Sequence, residues 1–189
     1  MSSKPATVLT DLSAIQQNFE LVSELAPASQ VMAVIKADAY GHGDVAVART
    51  LASASALAVS RVDEAVGLRE AGINSDICVL NGILNREDLN LASIYELQVV
   101  VHTEEQLELM ARAGARRSVW LKVDTGMRRL GFAPEHLERA FERLAGQKLL
   151  GLMTHFSCAD DADSEETANQ LQRLHAVSQT LRKSHPAFS

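Results

Sequence analysis

The chain has 189 residues, 47% of them hydrophobic and only 4% aromatic, with 24 acidic against 18 basic side chains for a formal charge of −6. That length suits one domain, or one and part of another. The acidic balance, with no basic patch, speaks against a nucleic-acid binder, and no stretch approaches the roughly 20 apolar residues of a membrane span.

Two cysteines, Cys78 and Cys158, cannot form a disulfide framework, and Met-Ser-Ser-Lys-Pro at the start has no apolar signal core behind it. The cytoplasm is therefore the expected compartment. In chain order, the short apolar run Thr7–Leu12 stands apart as a strand expected to pair outside the main sheet. This sets residues 1–11 off from the rest. Amphipathic, helix-like stretches then lie near residues 12–25, 44–54, 62–71, 86–93, 103–113, 135–145 and 164–183. Between them fall the apolar runs Val31–Lys36, Leu57–Ser60, Ile77–Leu80, Leu97–Val101, Val119–Asp124 and Leu149–Thr154. The runs are short and lack strict alternation, as expected of strands buried on both faces, and strand followed by helix argues a parallel α/β architecture.

Punctuation agrees. Asp44 is placed to N-cap a helix, Thr103-Glu-Glu-Gln106 has the form of a capping box, Gly72 and Gly114 stand where helices should end, and Pro134 stands where one should begin. Six strand–helix units fit either an open doubly wound sheet or an incomplete (β/α)8 barrel, which needs eight units and typically about 250 residues.

Three segments could carry chemistry. In Val31-Met-Ala-Val-Ile-Lys36-Ala-Asp-Ala-Tyr40-Gly-His-Gly43, a lysine closes a very apolar strand. It either snorkels from the strand end or serves as a nucleophilic amine made reactive by desolvation. In Leu121-Lys122-Val-Asp124-Thr-Gly126-Met-Arg128-Arg129-Leu-Gly131, two arginines follow a strand that contains a lysine. A guanidinium there can grip a carboxylate or a phenolate oxygen, or simply be solvated. In Met153-Thr-His155-Phe-Ser157, a histidine ends a third strand. Barrel active sites are built at the C-terminal ends of strands, where Lys36, Arg129 and His155 would fall. The acidic run Asp160–Glu166 reads as a solvated helix start, and the remaining histidines show no metal-ligand pattern.

These motifs have a family signature. Ala33-Val-Ile-Lys36-Ala-Asp-Ala-Tyr40-Gly-His-Gly43 resembles the pyridoxal-phosphate attachment motif of the alanine racemase family. Leu121–Phe132 resembles that family's second signature and Thr154-His155-Phe156-Ser157 its third, in matching order and spacing. The resemblance implies an N-terminal (β/α)8 barrel holding pyridoxal 5'-phosphate, of which residues 12–189 would form about six units, with a C-terminal β domain absent from this chain. It implies a homodimer acting on alanine. Lys36 would attach the cofactor and act as base on one face of the substrate. Tyr40 would contact the cofactor phosphate, Arg129 its phenolic oxygen and the substrate carboxylate, and His155 the pyridine ring. Lys122 matches a position often carbamylated, which would let it orient Arg129, whereas Arg128 stands where the motif often has glycine. Racemisation needs a second acid/base on the opposite face, a tyrosine of the family's C-terminal domain. Neither Tyr40 nor Tyr95 suits that role, so this chain alone is expected to be inactive. The alternative is a non-catalytic, single-domain pyridoxal-phosphate carrier.

Overall fold

Strand and helix alternate from end to end in the computed structural model, which describes residues 7–112, 114 and 116–185. The chain divides into two compact units, Met1–Cys78 and Val79–Ser189. In the first, α1 (Leu12–Leu25) precedes β1 (Met32–Val34), a short helical segment α2 (Lys36–Gly41), α3 (Asp44–Thr50), β2 (Ala56–Val59) and α4 (Val62–Glu70). β3 (Ile77–Val79) spans the boundary. The second unit runs through α5 (Arg86–Ile94), β4 (Gln98–Val101), α6 (Glu104–Ala111), β5 (Ser118–Lys122), a 3-10 turn (Pro134–His136), α7 (Leu137–Arg143), β6 (Lys148–Met153) and α8 (Glu166–Ser184). Strand order equals chain order, β1 through β6. A doubly wound sheet reverses its order partway and a barrel does not, so the alternation is that of an incomplete α/β barrel.

Burial explains the apolar runs. β2 and β3 are buried at every residue, as parallel strands covered on both faces must be. The first unit packs Leu57, Ala58, Ala65, Leu68 and Ile77 at 0% exposure, and the second does the same with Val99, Val100, Val101, Leu107, Val119 and Leu121. β1 pairs with β2 in parallel, and β5 pairs with both β4 and β6. Trp120 lies opposite Gly151, where an added Cβ would stand 2.9 Å from the indole, so the glycine makes room for the ring.

Several expectations change. Thr7–Asp11 form no strand. A strand needs a ladder partner, and Asp11 instead caps α1, accepting from the Ser13 and Ala14 amides. Residues 1–6 of the expected N-terminal segment lie outside the described residues. Lys36 does not close β1. The strand ends at Val34, the Ile35 amide bonds Ala58, and Lys36 opens α2. Asp44 does not cap α3 from outside; it is the first helical residue, and its amide donates to the Asp38 carboxylate at 2.9 Å.

Candidate active site

The backbone after β1 is unusual. Ala37, Asp38, Ala39 and Tyr40 have φ of 52°, 56°, 51° and 57°, with ψ from 33° to 57°, so α2 contains a left-handed turn of four residues that are not glycine. Each L-residue there costs about 1–2 kcal/mol, so the turn persists only because its surroundings hold it. Glu64, in the first turn of α4, accepts the Ala37 amide at 2.6 Å through one oxygen and the Ser60 and Arg61 amides at 2.7 and 2.8 Å through the other. Asp38 holds the start of α3, the Gly43 amide bonds the Asp38 carbonyl at 3.0 Å, and His42 Nδ1 sits 2.8 Å from the Ala39 carbonyl. Lys36, half-buried, is thus presented from a fixed turn. Its Nζ lies 6.0 Å from the centroid of the Tyr40 ring, which is 60% exposed. Within the first unit, the fold brings Lys36 and Tyr40 together.

In the second unit, Lys122 ends β5 and is 92% buried, its exposure being 8%. His102, just past β4, is buried as well. Burial lowers the histidine's pKa, and the Lys122 charge lowers it further. The ring's Nε2 lies 3.0 Å from the Asn81 carbonyl, while the buried Nδ1 has no hydrogen-bond partner among the described residues.

The loop after Lys122 folds back on itself. Phe132 donates to the Lys122 carbonyl and Asp124 donates to the Phe132 carbonyl, both at 2.9 Å, while the Asp124 carboxylate accepts the Gly126 and Arg128 amides. Gly131, at φ 129°, is obligatory, since a Cβ would come within 2.5 Å of the Asp124 nitrogen. Arg128 has φ 57°, the left-handed region that glycine adopts most readily. This gives a backbone reason for the glycine expected there from the motif. Both Arg128 and Arg129 are exposed on this loop.

His155, also exposed, follows β6. Thr154 bridges the two loops, bonding the Val123 carbonyl at 3.0 Å and the Thr125 hydroxyl at 2.8 Å. Fully buried Gln170 of α8 completes the tie, donating to Thr125 Oγ1 (3.2 Å) and the His155 carbonyl (3.0 Å) and accepting from the Ser157 amide (2.9 Å). The fold therefore joins the Arg129 loop to the His155 loop within this unit. Tyr95 caps the C-terminus of α5, ahead of β4 and so at the opposite strand end from Lys122 and His155.

The sequence motifs give no sign of the roles of Glu64 and Gln170, and show Gln106 only as part of a capping box. Gln106 of α6 is the middle member of the set. Its Nε2 donates to the Asn81 carbonyl and its Oε1 accepts the His102 amide, both at 2.8 Å. The one available signal was a polar residue on the inward, apolar face of each helix, such as Gln170 in line with Leu174, Val177 and Leu181.

The chain matches the family described as "Alanine racemase, N-terminal domain" over residues 10–189. It is 43% identical to an alanine racemase of Nitrosococcus oceani over 175 residues, covering 89% of this chain and 49% of that one. It is 40% identical to an alanine racemase of Haemophilus influenzae over 184 residues, covering 94% and 51%. The crystal structure of the biosynthetic alanine racemase of Pseudomonas aeruginosa superposes with a TM-score of 0.84 at 36% identity, covering 89% of this chain and 49% of that one. The chain spans about half the length of the curated relatives it matches. With that family's model matching residues 10–189 of this chain, the chain belongs to the alanine racemase family.

Proposed function

We propose that this chain carries the pyridoxal-5'-phosphate-binding part of an enzyme that interconverts L- and D-alanine. The observation that carries the reading is the Lys36 amine, offered from a left-handed turn beside the exposed Tyr40 phenol. A primary amine on a fixed backbone suits an aldehyde-bearing group, and a nearby phenol suits its phosphate, so these residues fit the cofactor. When bound, the cofactor supplies a conjugated ring that takes up the electron pair left when the substrate's α-proton departs.

In this reading Lys36 Nζ holds the cofactor and then moves the α-proton on one face. Tyr40 binds the phosphate through its hydroxyl. Arg129, on a loop tied down by Asp124 and Phe132, binds the substrate carboxylate and the phenolic oxygen. His155 would contact the cofactor's pyridine ring. Lys122 is carbamylated. The burial of this lysine at the end of β5 supports the reading, and the modification would give it an anionic oxygen able to orient Arg129. Residues 12–189 form the cofactor domain, and a homodimer in the cytoplasm is the expected working form. Among the described residues no helix is long and apolar enough to cross a membrane.

Racemisation also needs an acid/base on the second face. The placement of Tyr40 beside Lys36, and of Tyr95 ahead of β4, supports a source for it other than these two tyrosines. The test is borohydride reduction of the chain incubated with pyridoxal phosphate, followed by peptide mapping. Label concentrated on Lys36 is the expected result. Label spread evenly over surface lysines such as Lys148 and Lys183 would refute the reading.

A further inference from the structure

Glu64 has a larger part than capping its own helix. A capping contact needs one carboxylate oxygen, and Oε2 supplies it by accepting the Arg61 amide three residues earlier, along with that of Ser60. Oε1 is turned the other way and accepts the Ala37 amide at 2.6 Å, 27 residues distant in the chain. Ala37 is the first left-handed residue after Lys36. The first amides of a helical turn have no partner within the turn, so Ala37 N–H depends on an outside acceptor. Val62, Ala65 and Leu68 bury the inner face of α4 at 3%, 0% and 0% exposure, which keeps the Glu64 backbone in place.

We infer that Glu64 is a positioning residue for Lys36: by holding the Ala37 amide, its carboxylate fixes the peptide plane that follows the lysine and so aims the lysine amine. The bond to Ala37 N–H constrains the ψ of Lys36 and the φ of Ala37 together. These two torsions set the direction of the Lys36 Cα–Cβ bond relative to the left-handed turn that follows it, and so relative to Tyr40. The inference rests on the reading of Lys36 as the cofactor-attaching amine.

The full chain is compared as wild type, Glu64→Ala, Glu64→Asp and Val62→Ala. Glu64→Asp is one methylene shorter, so it keeps the cap on α4 while falling short of Ala37. Val62→Ala loosens the packing of α4 and leaves the carboxylate untouched. Two quantities are read: the exchange rate of the Ala37 amide, and the ratio of borohydride-fixed pyridoxal phosphate on Lys36 to that on exposed Lys148. Loss of a hydrogen bond to a charged acceptor should speed Ala37 exchange about tenfold or more and lower the label ratio about tenfold in Glu64→Ala. Glu64→Asp should lower the ratio similarly while α4 amides stay protected. Val62→Ala should change neither quantity beyond about twofold. A label ratio unchanged in both Glu64 variants, or lowered equally by Val62→Ala, would overturn the inference. If the wild type takes no label on Lys36, the cofactor reading fails, and Ala37 exchange still decides: unchanged exchange in Glu64→Ala overturns the positioning role on its own.

Discussion

The left-handed turn offers a perturbation in which a smaller side chain should stabilise the protein. Ala37 and Ala39 share nearly the same backbone, φ 52° and 51°, but Ala37 is exposed and Ala39 is 5% exposed. Replacing either by glycine removes the about 1–2 kcal/mol that an L-residue incurs in this region. Against that stands the greater freedom of glycine in the unfolded chain, about 0.5–1 kcal/mol. Ala37→Gly should therefore gain about 0.5–1 kcal/mol, a rise of about 1–4 °C in Tm for a chain of this size. At Ala39 the lost methyl was buried, and about 0.8 kcal/mol of transfer free energy goes with it, leaving the variant near or below wild type. Ala37→Val should destabilise, because a β-branched side chain is poorly accommodated at positive φ. Urea unfolding of the three variants followed by circular dichroism tests the ordering glycine, alanine, valine at position 37. If Ala37→Gly destabilised by more than about 1 kcal/mol, or Ala37→Val were neutral, the turn would not be strained as described.

Three further outcomes follow from the second unit. Gly131→Ala places a Cβ 2.5 Å from a backbone nitrogen at φ 129°; a loss of about 3–5 kcal/mol in chemical denaturation is expected, and a loss below 1 kcal/mol would contradict the close approach. Gln170→Leu keeps the side-chain volume but removes the bonds that Gln170 makes to Thr125, the His155 carbonyl and the Ser157 amide. It should cost about 2–4 kcal/mol, and Gln170→Glu should not restore it, since the His155 carbonyl needs a donor. His102 has its folded pKa lowered below the ordinary 6.5, first by burial, so as pH falls below 6.5 the unfolded chain takes up a proton that the folded chain resists. Its contribution is intact above pH 6.5 and is lost as pH falls toward the folded pKa, with a slope of at most about 1.4 kcal/mol per pH unit. Stability measured from pH 7.5 to 5 should fall less steeply in His102→Asn than in wild type; equal slopes would refute the assignment.

Much of the fold was readable from apolar runs alone. α1 occupies residues 12–25 as read, and each of the six apolar runs from Val31 to Thr154 overlaps an observed strand, because a parallel strand buried on both faces leaves a short aliphatic run. The failures have one physical source, namely contacts distant in sequence. Lys36-Ala-Asp-Ala-Tyr40 contains no glycine and only one residue, Asp38, that visits positive φ readily, so the left-handed turn is held from outside, by Glu64. Thr7–Asp11 have the composition of a strand but no ladder, and composition cannot report a missing partner. Gln106 reads as the far half of a capping box, yet its side-chain amide reaches the Asn81 carbonyl, 25 residues away. The site motifs were visible as motifs; the side chains that hold them were not.

Those holding side chains follow a rule with a chemical consequence. Glu64, Gln106 and Gln170 each sit in the first turns of the helix after an even-numbered strand. Each ties the end of that strand to the end of the one before it: β2 to β1, β4 to β3, and β6 to β5. At the two glutamines the partners are mixed. Gln106 donates to a carbonyl and accepts from an amide; Gln170 donates to a carbonyl and a hydroxyl and accepts from an amide. An amide side chain, with both a donor and an acceptor, suits such a set. At Glu64 all three partners are backbone N–H groups, since the left-handed turn offers an amide at Ala37 where the other strand ends offer an oxygen. Only a side chain that accepts at both atoms suits it. Glu64→Gln, although isosteric, should therefore turn an NH2 group against at least one N–H and cost about 1–3 kcal/mol in urea unfolding at pH 7. If Glu64→Gln were as stable as wild type at pH 7, the carboxylate would not be serving as a double acceptor, and the turn that presents Lys36 would have to be held by Asp38 and His42 alone.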